Sequence, residues 1–201
     1  MINDFFSAPF PTLDVDNEFL LREQDTQDAE AFLAYYSHKN VGQHILAAKP
    51  DNLADARTEI HYCQSLFPYH KGIYWTLASK HNNQMIGAIG IYVNIQHKRG
   101  EICYDLNHHY WNQGIMTRAM RVVIDFCFNK MGLVRLEAST LQKNSASIAL
   151  LKKLNFQFEG TLKKYRYYNH AFHDIQMYAL IAPPVLAKAD LVESVSIHEP
   201  F

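Results

Sequence analysis

The hydrophobic period of the chain changes several times, and those changes lay out its elements. After a lead-in punctuated by Pro9, Pro11 and Asp14, Phe19 to Arg22 is a short apolar run suited to a first strand. Apolar residues then recur at Ala29, Phe32, Leu33 and Tyr36, the spacing of one helix face, so a helix is predicted over Thr26 to Tyr36. Asp25, Asp28 and Glu30 place negative charge in its first turn, where it suits the helix dipole, although Thr26 followed by Ala29 is not a capping box. Pro50 introduces a second helix from Asp51 to about Leu66. From Ile73 the period becomes that of strands, over Ile73 to Leu77, Met85 to Val93 and Glu101 to Leu106, joined by a turn at His81-Asn82-Asn83 and a link from Gln96 to Gly100. A helical stripe returns at Met116, Ala119, Met120, Val123, Phe126 and Cys127, and Gly132 ends it. A strand from Leu133 to Ser139, a short helix from Asn144 to Leu154, and strands from Phe156 to Leu162 and Phe172 to Ile181 follow. Pro183-Pro184 closes the periodic region, which divides the chain into a domain over residues 1–182 and a C-terminal tail over 183–201. This order predicts an α/β fold: a mixed, mostly antiparallel sheet of about seven strands flanked by about four helices.

Composition narrows the class of function. The chain has 201 residues, 48% of them hydrophobic, enough for one well-filled core. Its 19 Lys+Arg and 20 Asp+Glu leave a formal charge of -1, so no net positive field draws it to nucleic acid or an anionic membrane. No apolar run approaches the roughly 18 residues of a membrane span. Met1 to Phe6 lacks the basic and apolar regions of a signal peptide. Cys63, Cys103 and Cys127 are odd in number and widely spaced, which fits reduced thiols and a cytoplasmic location better than a disulfide framework.

The segment from Glu101 to Met120 carries the chemistry. A strand ends near Leu106, a polar loop follows, and a helix opens at Gln113-Gly114. The first turn of a helix presents unpaired backbone N–H groups and the positive end of the dipole to an anion. Gly114 admits a ligand to that backbone and Thr117 adds a hydroxyl, so this is a candidate pyrophosphate cradle. It is neither a P-loop nor the Gly-x-Gly-x-x-Gly of a dinucleotide fold. Further on, Asn144 to Gly160 reads as a capped helix running straight into a strand.

Together these segments resemble the GCN5-related N-acetyltransferase (GNAT) superfamily, in the branch of the ribosomal-protein N-terminal (alanine/serine) acetyltransferases. The resemblance is carried in order by Glu101-Ile-Cys103-Tyr104, Trp111-Asn112-Gln113-Gly114-Ile115-Met116-Thr117, Asn144-Ser-Ala-Ser147, Asn155-Phe156-Gln-Phe-Glu159-Gly160 and Asp174-Ile-Gln-Met-Tyr178, and spans about Phe19 to Ile181. It implies acetyl-coenzyme A as acetyl donor, with its pyrophosphate on the N–H groups of Gln113, Gly114, Ile115, Met116 and Thr117. It further implies pantetheine along the strand after Glu101 and hydrogen-bonded by Asn144, with Ser147 protonating the departing thiolate. A homodimer is an expectation by analogy alone. Asn112 and Met116 replace smaller residues of the pattern, Arg118 stands where Glu is common, and Arg166 stands where some relatives carry a glutamate proposed as general base.

The loss of that glutamate leaves the base to be found. Strand alternation puts Glu101, Cys103 and Asp105 on one face, and Glu101 is the candidate catalytic base, acting directly or through water. An α-amine with a pKa near 8 costs about 1 kcal/mol to deprotonate at pH 7, a lysine near 10.4 about 4.6 kcal/mol. A weak base therefore serves a protein N-terminus better than a lysine or a polyamine. A backbone N–H near Leu106 would hold the oxyanion. The expected partner is a primary amine, such as the N-terminus of a ribosomal protein. The alternatives are a small amine met by the carboxylates Glu23, Asp25, Asp28 and Glu30, and a non-catalytic fold that only binds coenzyme A. Tyr165, Tyr167 and Tyr168 among Lys163, Lys164 and Arg166 are expected to line the acceptor groove rather than stack nucleic-acid bases. His170, His173 and Asp174, like His108-His109, find no third ligand cluster, so no metal is expected.

Overall fold

The strand-period segments pair into one sheet. In chain order the strands are β1 (Leu13–Asp14), β2 (Phe19–Glu23), β3 (Gly72–Ser79), β4 (Met85–Asn94), β5 (Arg99–Leu106), β6 (Arg135–Leu141), β7 (Gln157–Tyr168) and β8 (Ala171–Ile181). The helices are α1 (Ala29–Tyr36), α2 (Lys39–Gly42), α3 (Leu53–Ser65), α4 (Ile115–Asn129) and α5 (Ser145–Lys153). The computed structural model describes residues 5–42, 49–168 and 170–184, so the tail expected over 183–201 lies outside the described residues beyond Pro184. The sheet order is β1-β2-β3-β4-β5-β6-β8-β7, and β5–β6 is its parallel pair. The two-residue β1, too short to show a period, brings the strand number among the described residues to eight.

Two apolar layers sandwich the sheet. On one face α4 buries Ile115, Met116, Ala119, Met120, Val123, Phe126 and Cys127 against Trp75, Leu77, Ile89, Ile91 and Ile102. The Trp75 indole N–H donates to the Pro11 carbonyl at 2.8 Å, which docks the lead-in. On the other face α1 and α3 pack Ala29, Phe32, Tyr35, Ala56 and Ile60 on Met85 and Ala88. No helix among the described residues is long and apolar enough to cross a membrane.

Two sequence expectations change for local reasons. The entry to α1 does hold a capping box, made by Asp25 and Asp28 around a single 3-10 turn over Thr26–Asp28. Gln27 N–H donates to Asp25 at 2.8 Å and Asp25 N–H to Asp28 at 3.0 Å, so aspartate does what glutamate usually does at that position. Likewise β7 runs six residues past Leu162, to Tyr168. Its outer half has no buried face to give an apolar period, and a bulge sits between Leu162 and Arg166. Asp174 spans that bulge, accepting from Lys164 N–H at 2.8 Å and Lys163 Nζ at 2.9 Å.

The feature that makes a site is the junction of β5 and β6. They pair only at Arg99–Arg135, Gly100–Leu136 and Glu101–Glu137, although β5 continues to Leu106 and β6 to Leu141. Past Glu101 the strands splay, and the β5 edge facing β6 carries no ladder.

Candidate active site

Alternation of the β4–β5 ladder shows what that open edge presents. Asn107 N–H donates to Ile86 O at 2.8 Å, so Asn107–Ile86 is a hydrogen-bonded pair. The next pair, Leu106–Gly87, and the pair Tyr104–Ile89 are therefore of the other kind, with their N–H and C=O groups turned away from β4 and into the splay. The Leu106 carbonyl is taken by the Trp111 indole N–H at 2.8 Å, while its N–H faces the gap.

The gap opens into a cavity of about 440 Å³. Its walls include Tyr104, Asp105 and Leu106 from β5, Gly114 to Thr117 at the start of α4, and Asn144, Ser147 and Lys153 along α5. Gly114 is the N-cap of α4 in the left-handed region at φ 71°, with no side-chain cap, and the first helical bond is donated by Arg118 to Gly114 O at 3.1 Å. The N–H groups of Ile115, Met116 and Thr117 precede that bond and have no helical acceptor. Met116 is buried in the core beneath, so its side chain does not fill the cradle. Arg118 lies across it, donating from Nε to Asp16 at 2.7 Å and from an Nη to Gln113 O at 3.1 Å. Asn144 caps α5, its Oδ1 accepting from Ser147 N–H at 3.1 Å, and the Ser147 hydroxyl lies 2.7 Å from the Tyr104 hydroxyl.

Of the residues singled out from sequence, Leu106, Gly114, Ile115, Met116, Thr117, Asn144 and Ser147 meet at this cavity. Gln113 does not line it; its amide is turned back onto His109 O at 3.0 Å. Glu101 also lies outside the walls. Its carboxylate accepts from Ser139 at 2.9 Å and pairs with Arg166 at 3.6 Å. Arg166 thus stands as the counter-ion of Glu101.

The acid group that does line the cavity is Asp105. Burial pushes its carboxyl up to about 7, against the pull of a hydrogen bond from Tyr35, whose hydroxyl donates at 2.5 Å, and of the Ala88 backbone. Tyr35 is itself held well above the ordinary tyrosine range by burial and by that same carboxylate, so it stays a donor. The sequence placed Asp105 on the same face as Glu101; nothing in it showed that Tyr35, seventy residues away, closes over it. Cys103, between the two acids, is pushed up to about 12 by burial despite its contact with Tyr74, and is no nucleophile at neutral pH.

A strand that splays after three rungs, a glycine-capped helix and an asparagine-capped helix converge here. The GNAT acetyltransferase domain model matches residues 18–157. The chain belongs to the GNAT acetyltransferases. It is an N-acetyltransferase, an enzyme of acyl transfer. It is 31% identical to the uncharacterized N-acetyltransferase YoaA of Bacillus subtilis (strain 168), over 87% of this chain and 98% of that one. It is 26% identical to the L-amino acid N-acetyltransferase AaaT of Escherichia coli (strain K12), over 79% and 94%. Its fold matches, with a TM-score of 0.77, that of the Salmonella typhimurium acetyltransferase that modifies the N-terminal serine of ribosomal protein L7/L12, at 20% identity over 86% of this chain and 100% of that one.

Proposed function

We propose that this GNAT enzyme takes its acetyl group from acetyl-coenzyme A and delivers it to the α-amine of a protein N-terminus, with Asp105 as general base. The observation that carries this reading is Asp105, a residue of the cavity wall whose carboxyl is clamped by Tyr35 and poised near neutrality. A base with a pKa of about 7 lies roughly one unit below an α-amine, so proton transfer costs about 1 kcal/mol; a polyamine or lysine, near 10.4, is a poor match.

The surroundings agree. Of the carboxylates considered for a polyamine, Asp28 is bound by Arg22, Thr76 and Asp25 N–H, and Asp25 by Gln27 N–H. Arg166, a cation that could meet a free carboxylate, is held at Glu101, four strand residues and about 13 Å along β5 from Asp105. An extended peptide can span that interval. The exposed rings of Tyr165, Tyr167 and Phe172 on the β7–β8 hairpin offer such a peptide an aromatic edge.

Acetyl-coenzyme A supplies an activated thioester. The N–H groups of Ile115, Met116 and Thr117 and the dipole of α4 would hold its pyrophosphate, and Asn144 with the open edge of β5 its pantetheine. Asp105 takes one proton from the ammonium group. The Leu106 N–H, aimed into the splay, stabilises the negative charge that develops on the thioester oxygen as the amine attacks. Ser147 then gives a proton to the departing thiolate. No covalent enzyme intermediate is needed.

The test is acetyl transfer from acetyl-coenzyme A to a panel: peptides with free N-terminal alanine or serine, the same peptides N-blocked and carrying lysine, free amino acids, and spermidine. The free-N-terminal peptides are expected to show the highest kcat/KM; a preference for spermidine or for amino acids would overturn the acceptor assignment. A thermal melt examines the donor separately. Acetyl-coenzyme A at 100 times its Kd is expected to add about 2.7 kcal/mol, a rise of about 5–10 °C for a domain of this size. Gly114→Val, which forces a β-branched residue into φ 71°, is expected to remove most of that rise. An undiminished rise in the variant would place the cradle elsewhere.

A further inference from the structure

Tyr104 is not accounted for by the chemistry above. It alternates with Asp105 on β5 and so leaves the opposite face of the sheet, toward α5. There its hydroxyl meets that of Ser147 at 2.7 Å, and both residues line the cavity. Neither hydroxyl is placed by chance. Asn144 holds the Ser147 backbone through the cap of α5, and the β4–β5 ladder holds Tyr104 opposite Ile89.

We propose that Tyr104 is a positioning and proton-sharing residue acting through Ser147, which it orients and recharges as the coenzyme A thiolate leaves. The proposal rests on the acetyl-transfer reading of the site and deepens it. An alkyl hydroxyl is a very weak acid, and a lone serine would have to become an alkoxide to protonate a thiolate. A phenol is the better donor. Burial pushes Tyr104 up to about 12 while the Ser147 contact pulls it down, which keeps it protonated at neutral pH. The 2.7 Å geometry allows either hydroxyl to donate; at the moment of transfer Tyr104 O–H is assigned as donor to Ser147 Oγ, which frees the Ser147 hydrogen to point into the cavity.

The step balances. As the C–S bond breaks, the thiolate sulfur takes the Ser147 hydrogen and Ser147 takes the Tyr104 hydrogen. The tyrosinate recovers a proton through solvent. The ammonium substrate loses two protons in all: one replaces the proton delivered to sulfur, and the other leaves by way of Asp105.

The test compares Tyr104→Phe, Ser147→Ala and the double variant with wild type, in single turnover at saturating acetyl-coenzyme A, using a free-N-terminal peptide as acceptor. Calorimetric titration with acetyl-coenzyme A confirms that each variant is folded and binds. Tyr104→Phe is expected to lower the transfer rate about 10-fold, with acetyl-coenzyme A affinity within about twofold, and the double variant to be no slower than Ser147→Ala alone. In mixed light and heavy water, the wild-type rate is expected to curve with deuterium content and the Tyr104→Phe rate to fall linearly, because one moving proton has been removed. Wild-type turnover by Tyr104→Phe, or rate losses that multiply in the double variant, would sink the proposal while leaving acetyl transfer standing. Failure of wild type to acetylate any amine overturns the reading of the site, and this proposal with it.

Discussion

Asp105→Asn is expected to lower kcat for peptide acetylation about 10²- to 10³-fold, with the KM for acetyl-coenzyme A within about twofold. Among the described residues the carboxylate is the one acid on the cavity wall, and asparagine keeps its size and the contact with Tyr35 while losing the ability to take a proton. In wild type the acidic limb of the kcat/KM profile should fall near pH 7. Tyr35→Phe removes a hydrogen bond that favours the ionised form, so that limb should move to higher pH. Glu101→Gln should leave the limb in place, because Glu101 sits outside the cavity with Ser139 and Arg166. A normal rate for Asp105→Asn together with a large loss for Glu101→Gln would return the base to Glu101.

Stability gives an independent reading of the same group. The folded carboxyl titrates near 7 and an unfolded aspartate near 3.9, so between those values the native state holds a proton that the unfolded state does not. The contribution of Asp105 to stability is thus fully present below about pH 4 and is lost as pH rises through about 7. Asp105→Asn should accordingly melt higher than wild type at pH 8 and close to it at pH 4. A purely structural carboxylate would show the reverse. On this reading the fold bears a local cost for holding the proposed base at the right acidity.

Asp28→Ala is expected to have the largest effect on stability, about 3 kcal/mol, or roughly 6–12 °C in Tm. Asp28 accepts from both Arg22 guanidinium nitrogens at 2.8 and 2.7 Å, from the Thr76 hydroxyl at 2.9 Å and from Asp25 N–H at 3.0 Å. The side chains of Arg22 and Asp28 are only 16% and 6% exposed, so removing the carboxylate leaves a poorly hydrated cation and two orphaned donors. Arg22 keeps its bonds to Asn83 and to Glu23 O, which holds the loss toward the lower end for a broken buried pair. Differential scanning calorimetry at neutral pH measures it; a fall below about 2 °C would mean that Arg22 is satisfied without Asp28.

What could be read along the chain was whatever depends on near neighbours. The meander from Gly72 to Leu106 and the stripe of α4 follow from periods of two and 3.6, which local sequence carries in full. The caps at Gly114 and Asn144, and with them the proposed donor side of the site, are local as well, since each cap and the N–H groups it exposes lie within a few residues. The exposed half of β7 escaped because a strand without a buried face has no apolar period, and the Asp25–Asp28 box because aspartate fills a place usually held by glutamate.

The proposed acceptor side was decided by tertiary structure. Glu101 and Asp105 share a strand face, and nothing local distinguishes them. Their chemistry diverges because α1 brings Tyr35 and a low-dielectric wall to Asp105, while β6 and β7 bring Ser139 and Arg166 to Glu101. The pairing of Tyr104 with Ser147, forty-three residues apart, is likewise set by where α5 crosses the open edge of β5. Proton affinity depends on desolvation and on nearby charge, and both are properties of the assembled neighbourhood. The sequence alone therefore determined that this is an acetyltransferase fold with a glycine-capped helix opening onto the strand junction, and the packing of distant elements determined which carboxylate lines the cavity.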